Sequence, residues 1–248
     1  MINGKLYVIG APIGNKKDAS TTLIESISYA KYICVEDSER FKEFCNKYNL
    51  NYTGELIDIS WTVESNRENQ YKEYILNLLI SGKDVHIISD EGMPSFADPG
   101  FFLVEEAIKN NIEIIASPGP STIISAAVVS NIINSRFIVE GFLPTELDRR
   151  KTHWQFLKEQ HIPSLFLLHN PMQRPKDLIE KIHITYSEND YNSFIQEAID
   201  QLGPTRQAVL CIDLTCTSQK IIRGTLQEIQ SSLNEVVDRT SNLCIVIK

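Results

Sequence analysis

The sequence predicts an α/β protein of two domains, with a mainly parallel sheet in the first and a mixed sheet in the second. Three observations carry that expectation. Short apolar runs alternate with amphipathic stretches of helical length along the whole chain, the pattern of βα units. The segment Ser117-Pro118-Gly119-Pro120-Ser121 interrupts that rhythm, because two prolines and a glycine stop any regular element. Finally, the runs Gln207–Leu214 and Lys220–Gly224 are joined by a very short link. A parallel pair needs a long crossover, so these two strands must pair antiparallel. The domains are therefore expected at 1–117 and 118–248.

In the first domain, strands are expected at Lys5–Gly10, Tyr32–Glu36, Glu55–Ile59, Asp84–Ser89 and Glu113–Ala116. Helices are expected at Thr22–Ala30, Ser38–Tyr48, Ser65–Ser81 and Gly100–Asn110. Thr22 followed by Glu25 has the spacing of a capping box for the first of these. The second domain begins with helix Thr122–Ser130, for which Ser121 can act as a cap. Strand Phe137–Phe142, helix Glu146–Gln160, strand Ser164–Leu168 and helix Pro175–Ile184 follow. A polar connector, Ser187-Glu188-Asn189-Asp190, leads to helix Tyr191–Leu202. The two antiparallel strands, helix Leu226–Leu233 and strand Asn242–Ile247 complete the chain. There is no internal repeat.

Composition narrows the function. The chain has 248 residues, 42% of them hydrophobic, enough for real cores in a soluble protein. No apolar run approaches the ~20 residues that span a bilayer. The start, Met1 to Tyr7, runs directly into a strand without the apolar core of a signal peptide, so a cytoplasmic location is expected. The cysteines Cys34, Cys45, Cys211, Cys216 and Cys244 are scattered, without a C-x-x-C pair. Cys34, Cys211 and Cys244 fall in apolar strand patterns and read as small core residues. Neither they nor the histidines have metal-ligand spacing, so no metal is expected. The net charge of −8 disfavours a broad nucleic-acid surface. Arg149, Arg150, Lys151, Lys158, Arg174 and Lys176 form either a modest basic patch or a solvated helix face.

The strand-end loops point to a ligand site. Ser89 to Gly100 is long, with two Pro, two Gly and several acids, where a plain turn would need fewer residues. In open α/β sheets, ligands bind beyond the carboxyl ends of strands. Pro and Gly fix an unusual path and expose backbone groups; a rigid surface loop is the alternative. The first strand ends in Gly10-Ala11-Pro12-Ile13-Gly14, which is not the G-x-G-x-x-G of a standard dinucleotide site. The second ends in Glu36-Asp37-Ser38-Glu39-Arg40, whose acids can hold ribose hydroxyls or act as a base, or whose Asp37 or Ser38 can cap the next helix. Arg40 can meet a substrate phosphate or Glu36. Loops so rich in apolar and backbone groups suit a nucleoside better than a bare phosphate, and a cleft between two α/β domains is a common place for a cofactor.

These motifs, in this order, resemble the tetrapyrrole methylase superfamily. They are Leu6 to Asn15, Glu36-Asp37-Ser38, Ser89 to Pro94 with Asp98-Pro99-Gly100, Pro118 to Ser121, and Glu140-Gly141-Phe142-Leu143-Pro144. Within the superfamily the chain resembles a divergent member of the branch of ribosomal RNA small subunit methyltransferases I. The branch pattern Glu-Asp-Thr-Arg gains a residue here, and Glu-Leu-Thr-Lys reads Asp213-Leu214-Thr215-Cys216. The resemblance implies a two-domain fold with S-adenosylmethionine (SAM) in the cleft between the domains, a homodimer, and 2′-O-methylation of a cytidine in small-subunit ribosomal RNA. Other acceptors for such a fold are a tetrapyrrole or corrin ring or a protein, and a non-catalytic SAM-binding module is a further reading. Carried onto this chain, the SAM walls are Pro12, the loop with Glu91, Gly92, Met93, Pro94, Phe96, Ala97 and Asp98, then Ser121, Thr122, Leu168, His169, Asp213 and Leu214. Gly92–Ala97 would hold the methionine part, and backbone near Ser121 and Leu214 the adenosine. The candidate bases for a ribose hydroxyl are Asp98, Asp37 and Glu36; bracing the loop or capping the next helix is the alternative role for Asp98.

Overall fold

A computed structural model describes residues 2–59, 65–98, 100–144, 146–168, 191–237 and 241–248. The chain divides into two units, Met1–Ser121 and Thr122–Lys248. The expected helix Pro175–Ile184, the connector Ser187–Asp190 and His169 lie outside the described residues.

In the first unit, strands β1 (Leu6–Ile9), β2 (Tyr32–Val35), β3 (Glu55–Asp58), β4 (Val85–Ile88) and β5 (Ile114–Ser117) form one sheet in the order β3-β2-β4-β1-β5. Every pairing in it is parallel. The crossovers are helices α1 (Thr21–Tyr29), α2 (Ser38–Tyr48), α3 (Ser65–Ile80) and α4 (Phe101–Lys109). A parallel sheet covered on both faces needs strands that are apolar throughout, and β4 is buried at all four positions. Alternate residues feed two cores. Leu6, Val8, Val85 and Ile87 pack with Ile75, Leu79, Leu103 and Ala107. Ile9, Ile33, Val35 and Ile88 pack with Leu23, Ile27, Phe41 and Cys45.

The expected cap of α1 is corrected. Ser20, not Thr22, is the N-cap, and its side chain accepts from Leu23 N–H. Ser20, Thr21 and Thr22 all satisfy the local rule, and Ser20 is the one with the extended backbone of a cap, at φ −70° and ψ 153°. A capping box does exist in the chain, at Thr225 and Glu228, where it starts the last helix.

In the second unit, β6 (Ile138–Gly141), β7 (Ser164–Leu168), β8 (Gln207–Ile212), β9 (Lys220–Thr225) and β10 (Leu243–Ile247) form a sheet in the order β6-β7-β10-β8-β9. β6 and β7 are parallel and the other pairs antiparallel, including the β8–β9 pair expected from its short link. Helices α5 (Thr122–Ser130), α6 (Leu147–Glu159), α7 (Tyr191–Leu202) and α8 (Leu226–Val236) accompany it. Trp154, Phe166, Phe194 and Ile195 centre the core beneath α6, α7 and α8. Among the described residues no helix is long and apolar enough to cross a membrane.

Candidate active site

In the first unit β1 lies between β4 and β5, so three strand-end loops meet. The loop after β1 and the loop after β4 are tied by a two-way backbone bridge. Ala11 N–H donates to Gly92 O at 2.7 Å, and Gly92 N–H donates to Ala11 O at 3.1 Å. The loop after β5 touches the loop after β1 through two glycines. A Cβ on Gly119 would lie 2.6 Å from Gly10 Cα, and one on Gly10 would lie 2.7 Å from Met93 Sδ. Only hydrogen fits at such a crossing. Pro12 and Pro94 are buried, Met93 is half-buried, and Glu91, Phe96 and Ala97 are exposed. Gly10 thus lies between Met93 and the backbone of Gly119, and the Ala11–Gly92 bridge holds the loop of Pro12 beside that of Met93.

The path of the β4 loop is strained. Gly92, Ser95, Ala97 and Gly100 all have positive φ, at 76°, 70°, 55° and 102°. Glycine tolerates this freely, but serine and alanine do so at a cost and persist only where the surroundings over-determine them. The Ser89 hydroxyl is one such constraint, reaching the carbonyls of Glu91 and Gly92 at 3.2 and 3.1 Å. In the sequence Ser89 stands out only as the first residue of the Ser89 to Pro94 motif, with no role attached to its hydroxyl. Ser95 Oγ is buried with no hydrogen-bond partner. Such a group calls for an explanation, and a bound molecule is one. A strand-end surface built of backbone, proline, methionine and one hydroxyl fits a nucleoside-bearing cofactor such as SAM.

The acids divide by environment. Asp37 is the N-cap of α2, its Oδ1 accepting from Glu39 N–H at 2.8 Å and Arg40 N–H at 3.1 Å. Arg40 pairs with Asp90 at 3.0 Å, with Glu36 a neighbouring charge. The pair joins the end of β2 to the end of β4, which are neighbours in the sheet. Asp98 does not cap α4, whose N-cap is Gly100 with no side-chain hydrogen bond. Instead it interacts with the Ser89 side chain and braces the loop. Burial, then the charges of Glu36, Asp90 and Glu91, push the Asp98 carboxyl up to about 8, against the pull of Ser89. At neutral pH it is therefore a protonated acid within a cluster of carboxylates. A carboxyl raised this way in a loop at strand ends marks a functional-site candidate, and a value near working pH suits a general base.

In the second unit, Thr122 opens α5 and Leu168 closes β7, its side chain in the core opposite Leu243. Leu214 is buried too. Asp213 has a φ of 49° and uses both carboxylate oxygens. Oδ1 accepts from Asn242 N–H at 2.8 Å and Oδ2 from Ser218 Oγ at 3.0 Å. Its side chain therefore shapes the β8–β9 turn, which leaves backbone as the means by which this segment could meet a ligand. The expected basic stretch is corrected at Arg150, which is only 4% exposed. Its guanidinium donates to Pro144 O at 2.9 Å and Glu197 Oε1 at 2.7 Å. Trp154 Nε1 donates to the other oxygen of Glu197 at 2.9 Å. Periodicity alone could have placed Arg150 inward, four residues before the buried Trp154. Arg174 and Lys176 lie outside the described residues.

A parallel sheet with glycine-crossed, acid-lined strand ends, followed in the chain by a mixed sheet, is the architecture of a class of methylases. The chain matches the family model of the Tetrapyrrole (Corrin/Porphyrin) Methylases over residues 5–230. It belongs to that family. It is 33% identical to the Ribosomal RNA small subunit methyltransferase I of Thermotoga maritima, over 91% of this chain and 90% of that one. It is 34% identical to the protein of the same name in Mycoplasmopsis pulmonis, over 80% of this chain and 92% of that one. Among solved structures it resembles the methyltransferase CobJ, with a TM-score of 0.67 at 15% identity, covering 98% of this chain and 93% of that one. It also resembles uroporphyrin-III C-methyltransferase from Thermus thermophilus complexed with S-adenyl homocysteine, with a TM-score of 0.59 at 13% identity, covering 98% and 97%.

Proposed function

We propose that the protein is a SAM-dependent methyltransferase of the small ribosomal subunit, transferring a methyl group to a ribose 2′-hydroxyl of its RNA. The observation that carries this reading is the match, over nine-tenths of both chains, to a relative named for small-subunit ribosomal RNA methylation. The structural neighbours are distant and speak to fold, but one of them was solved with the demethylated donor.

SAM supplies an electrophilic methyl on a sulfonium, and the protein's task is to bind, align and exclude water. We assign Gly92, Met93, Pro94, Phe96 and Ala97, with Pro12 and Glu91, to the methionine side. Ser121, Thr122, Leu168, His169, Asp213 and Leu214 are assigned to the adenosine side. Ser95 Oγ is a further polar contact for the donor. Asp98 is the candidate base for the ribose hydroxyl. Asp37 is committed to its helix cap through one oxygen, whereas Glu36, with Asp90 and Glu91, serves to keep the Asp98 proton at neutral pH until a substrate binds. The homodimer implied by the resemblance is supported by Ile124 and Val128, 57% and 74% exposed and one turn apart on α5. The cytoplasm is its proposed location.

The test uses small ribosomal subunits from a strain that lacks this activity, incubated with the protein and methyl-labelled SAM. Label in the RNA, in an alkali-resistant dinucleotide, is the expected result. Label in protein or in a tetrapyrrole ring would replace the acceptor. Binding of SAM without any transfer would make the protein a binding module instead.

A further inference from the structure

Cys211 and Cys244 face each other across the two central antiparallel strands of the second sheet, β8 and β10. Asp213 N–H donates to Asn242 O and Lys248 N–H donates to Gln207 O, both at 2.9 Å. Counting inward from either end by twos, the 211–244 pair falls in the hydrogen-bonded class. Cα atoms of such a pair are about 5.5 Å apart, inside the range of about 4.4–6.8 Å that a disulfide bridges. Directly opposed residues share a face, and these two side chains are already in contact, Cys244 donating a hydrogen bond to Cys211. Both thiols are free and buried.

Their face of the sheet is not the one that carries the large core. Ala208, Leu210, Ile212, Leu243, Ile245 and Ile247 fill that core, so the alternating Cys211 and Cys244 point the other way. α5, which packs on β8, β9 and β10, covers that side. Arg223 is paired with Val209 on β8, two residues from Cys211, so it shares the cysteines' face. Its guanidinium holds the end of α5 through the carbonyl of Val129. The hydrogen bond from Cys244, with the Arg223 charge behind it, lowers the Cys211 thiol below its ordinary value despite burial.

We propose that Cys211 and Cys244 are a redox-active dithiol that closes to an intrachain disulfide when the protein meets a peroxide. The Cys211 thiolate attacks one peroxide oxygen, the O–O bond breaks, and a sulfenic acid and hydroxide result, the hydroxide becoming water with the proton that the Cys211 thiol gave up on ionising. The Cys244 sulfur then attacks the Cys211 sulfur. The S–O bond breaks, and the leaving hydroxide takes the Cys244 proton as water. Two thiols have lost two electrons and two protons, and the peroxide has become two waters. The bond would form two residues before Asp213, at the strand end assigned above to the donor. Oxidation should therefore weaken S-adenosylhomocysteine binding, a consequence that rests on the proposed function while the disulfide itself does not.

The experiment treats the native full-length protein with hydrogen peroxide, and in parallel with diamide. Remaining thiols are blocked, and peptides are mapped by mass spectrometry. The expected product is a Cys211–Cys244 linked peptide, an intact mass lower by two hydrogens, and full reversal by dithiothreitol. Cys244→Ala should convert the same treatment into sulfenic or sulfinic acid on Cys211. Both Cys211 and Cys244 peptides emerging unmodified from folded, treated protein would overturn the proposal. So would linkage of either to Cys216. Calorimetry with S-adenosylhomocysteine before and after oxidation reads the consequence separately. A disulfide that leaves affinity unchanged removes only the coupling to the donor site.

Discussion

Replacing Asp98 by Asn should stabilise the protein, and by more as pH rises. Burial and the neighbouring carboxylates raise the Asp98 carboxyl from an ordinary 3.8 to about 8 in the folded chain. Between those values the folded state holds one proton more than the unfolded state. The slope of unfolding free energy with pH follows protons bound in the unfolded state minus those bound in the folded state. That difference is negative, so this group makes the protein less stable as pH rises from 3.8, with the loss complete above about 8. The interval is about four pH units, and at 1.36 kcal/mol per unit its limit is about 6 kcal/mol. Water entry and side-chain relaxation on ionisation reduce the effective cost of a buried charge to several kcal/mol, so about 3 kcal/mol is expected at pH 8.5. Asn keeps the shape and a hydrogen bond to Ser89 but never ionises.

Urea denaturation of the two proteins at several values from about pH 5 to pH 8.5 provides the measurement, the midpoints being compared at constant slope. The Asn variant should gain on the wild type steadily across that range. Parallel midpoints, or a variant weaker than wild type at pH 8.5, would refute the reasoning. The same titration governs chemistry. If Asp98 is the base, methyl transfer rises with pH toward about 8 and is lost in the Asn variant while S-adenosylhomocysteine affinity persists. Full turnover in the variant would end the base assignment.

Three other outcomes follow from packing and charge. Gly119→Ala drives a Cβ into the Gly10 backbone and should cost about 1–3 kcal/mol; an unchanged urea midpoint would mean that the crossing relaxes freely. Glu197→Gln leaves the Arg150 guanidinium, 5% exposed in its side chain, without its charged partner. Breaking a buried pair costs roughly 3–5 kcal/mol, and the low end is expected because Glu197 is partly exposed; a thermal melt within a degree of wild type would contradict this. Burial lowers His86, which stacks on Tyr7 in the middle of the parallel sheet. The unfolded chain therefore takes up a proton near pH 6.5 that the folded chain resists, so this residue makes stability fall as pH drops below 6.5. His86→Phe should flatten that part of the profile, and an unaltered slope there would exclude the residue as its source.

The parallel sheet was legible because apolar runs and helical crossovers leave few alternatives. The antiparallel β8–β9 pair was legible for the same local reason. The insertion of β10 between β7 and β8 was not, since strand order depends on pairings that no nearby residue encodes. The candidate site was marked in the sequence by its loops and much less by the roles of its side chains. The loop after β4 was marked by its Pro and Gly content, and the left-handed backbone at Ser95 and Ala97 carries no composition signal at all. The Arg40–Asp90 pair joins residues fifty apart in sequence, brought together only because β2 and β4 are neighbours. Arg150 looked like surface charge because charge alone does not reveal which side of a helix faces the core.

Asp98 and Asp213 show why acids at strand ends cannot be ranked by sequence. Both follow an apolar strand and sit in loops with positive φ. Asp213 finds a backbone N–H for one oxygen and a hydroxyl for the other. Asp98 meets Ser89, but also burial and three further carboxylates. A carboxylate with donors on both oxygens is comfortable ionised, and it tightens the turn that it serves. A carboxyl among like charges keeps its proton at the expense of stability at neutral pH. Proteins retain that kind of local penalty where the group does chemistry, so Asp98 is where the catalytic assignment should be tested first, whereas truncating Asp213 should register as looseness of the β8–β9 turn.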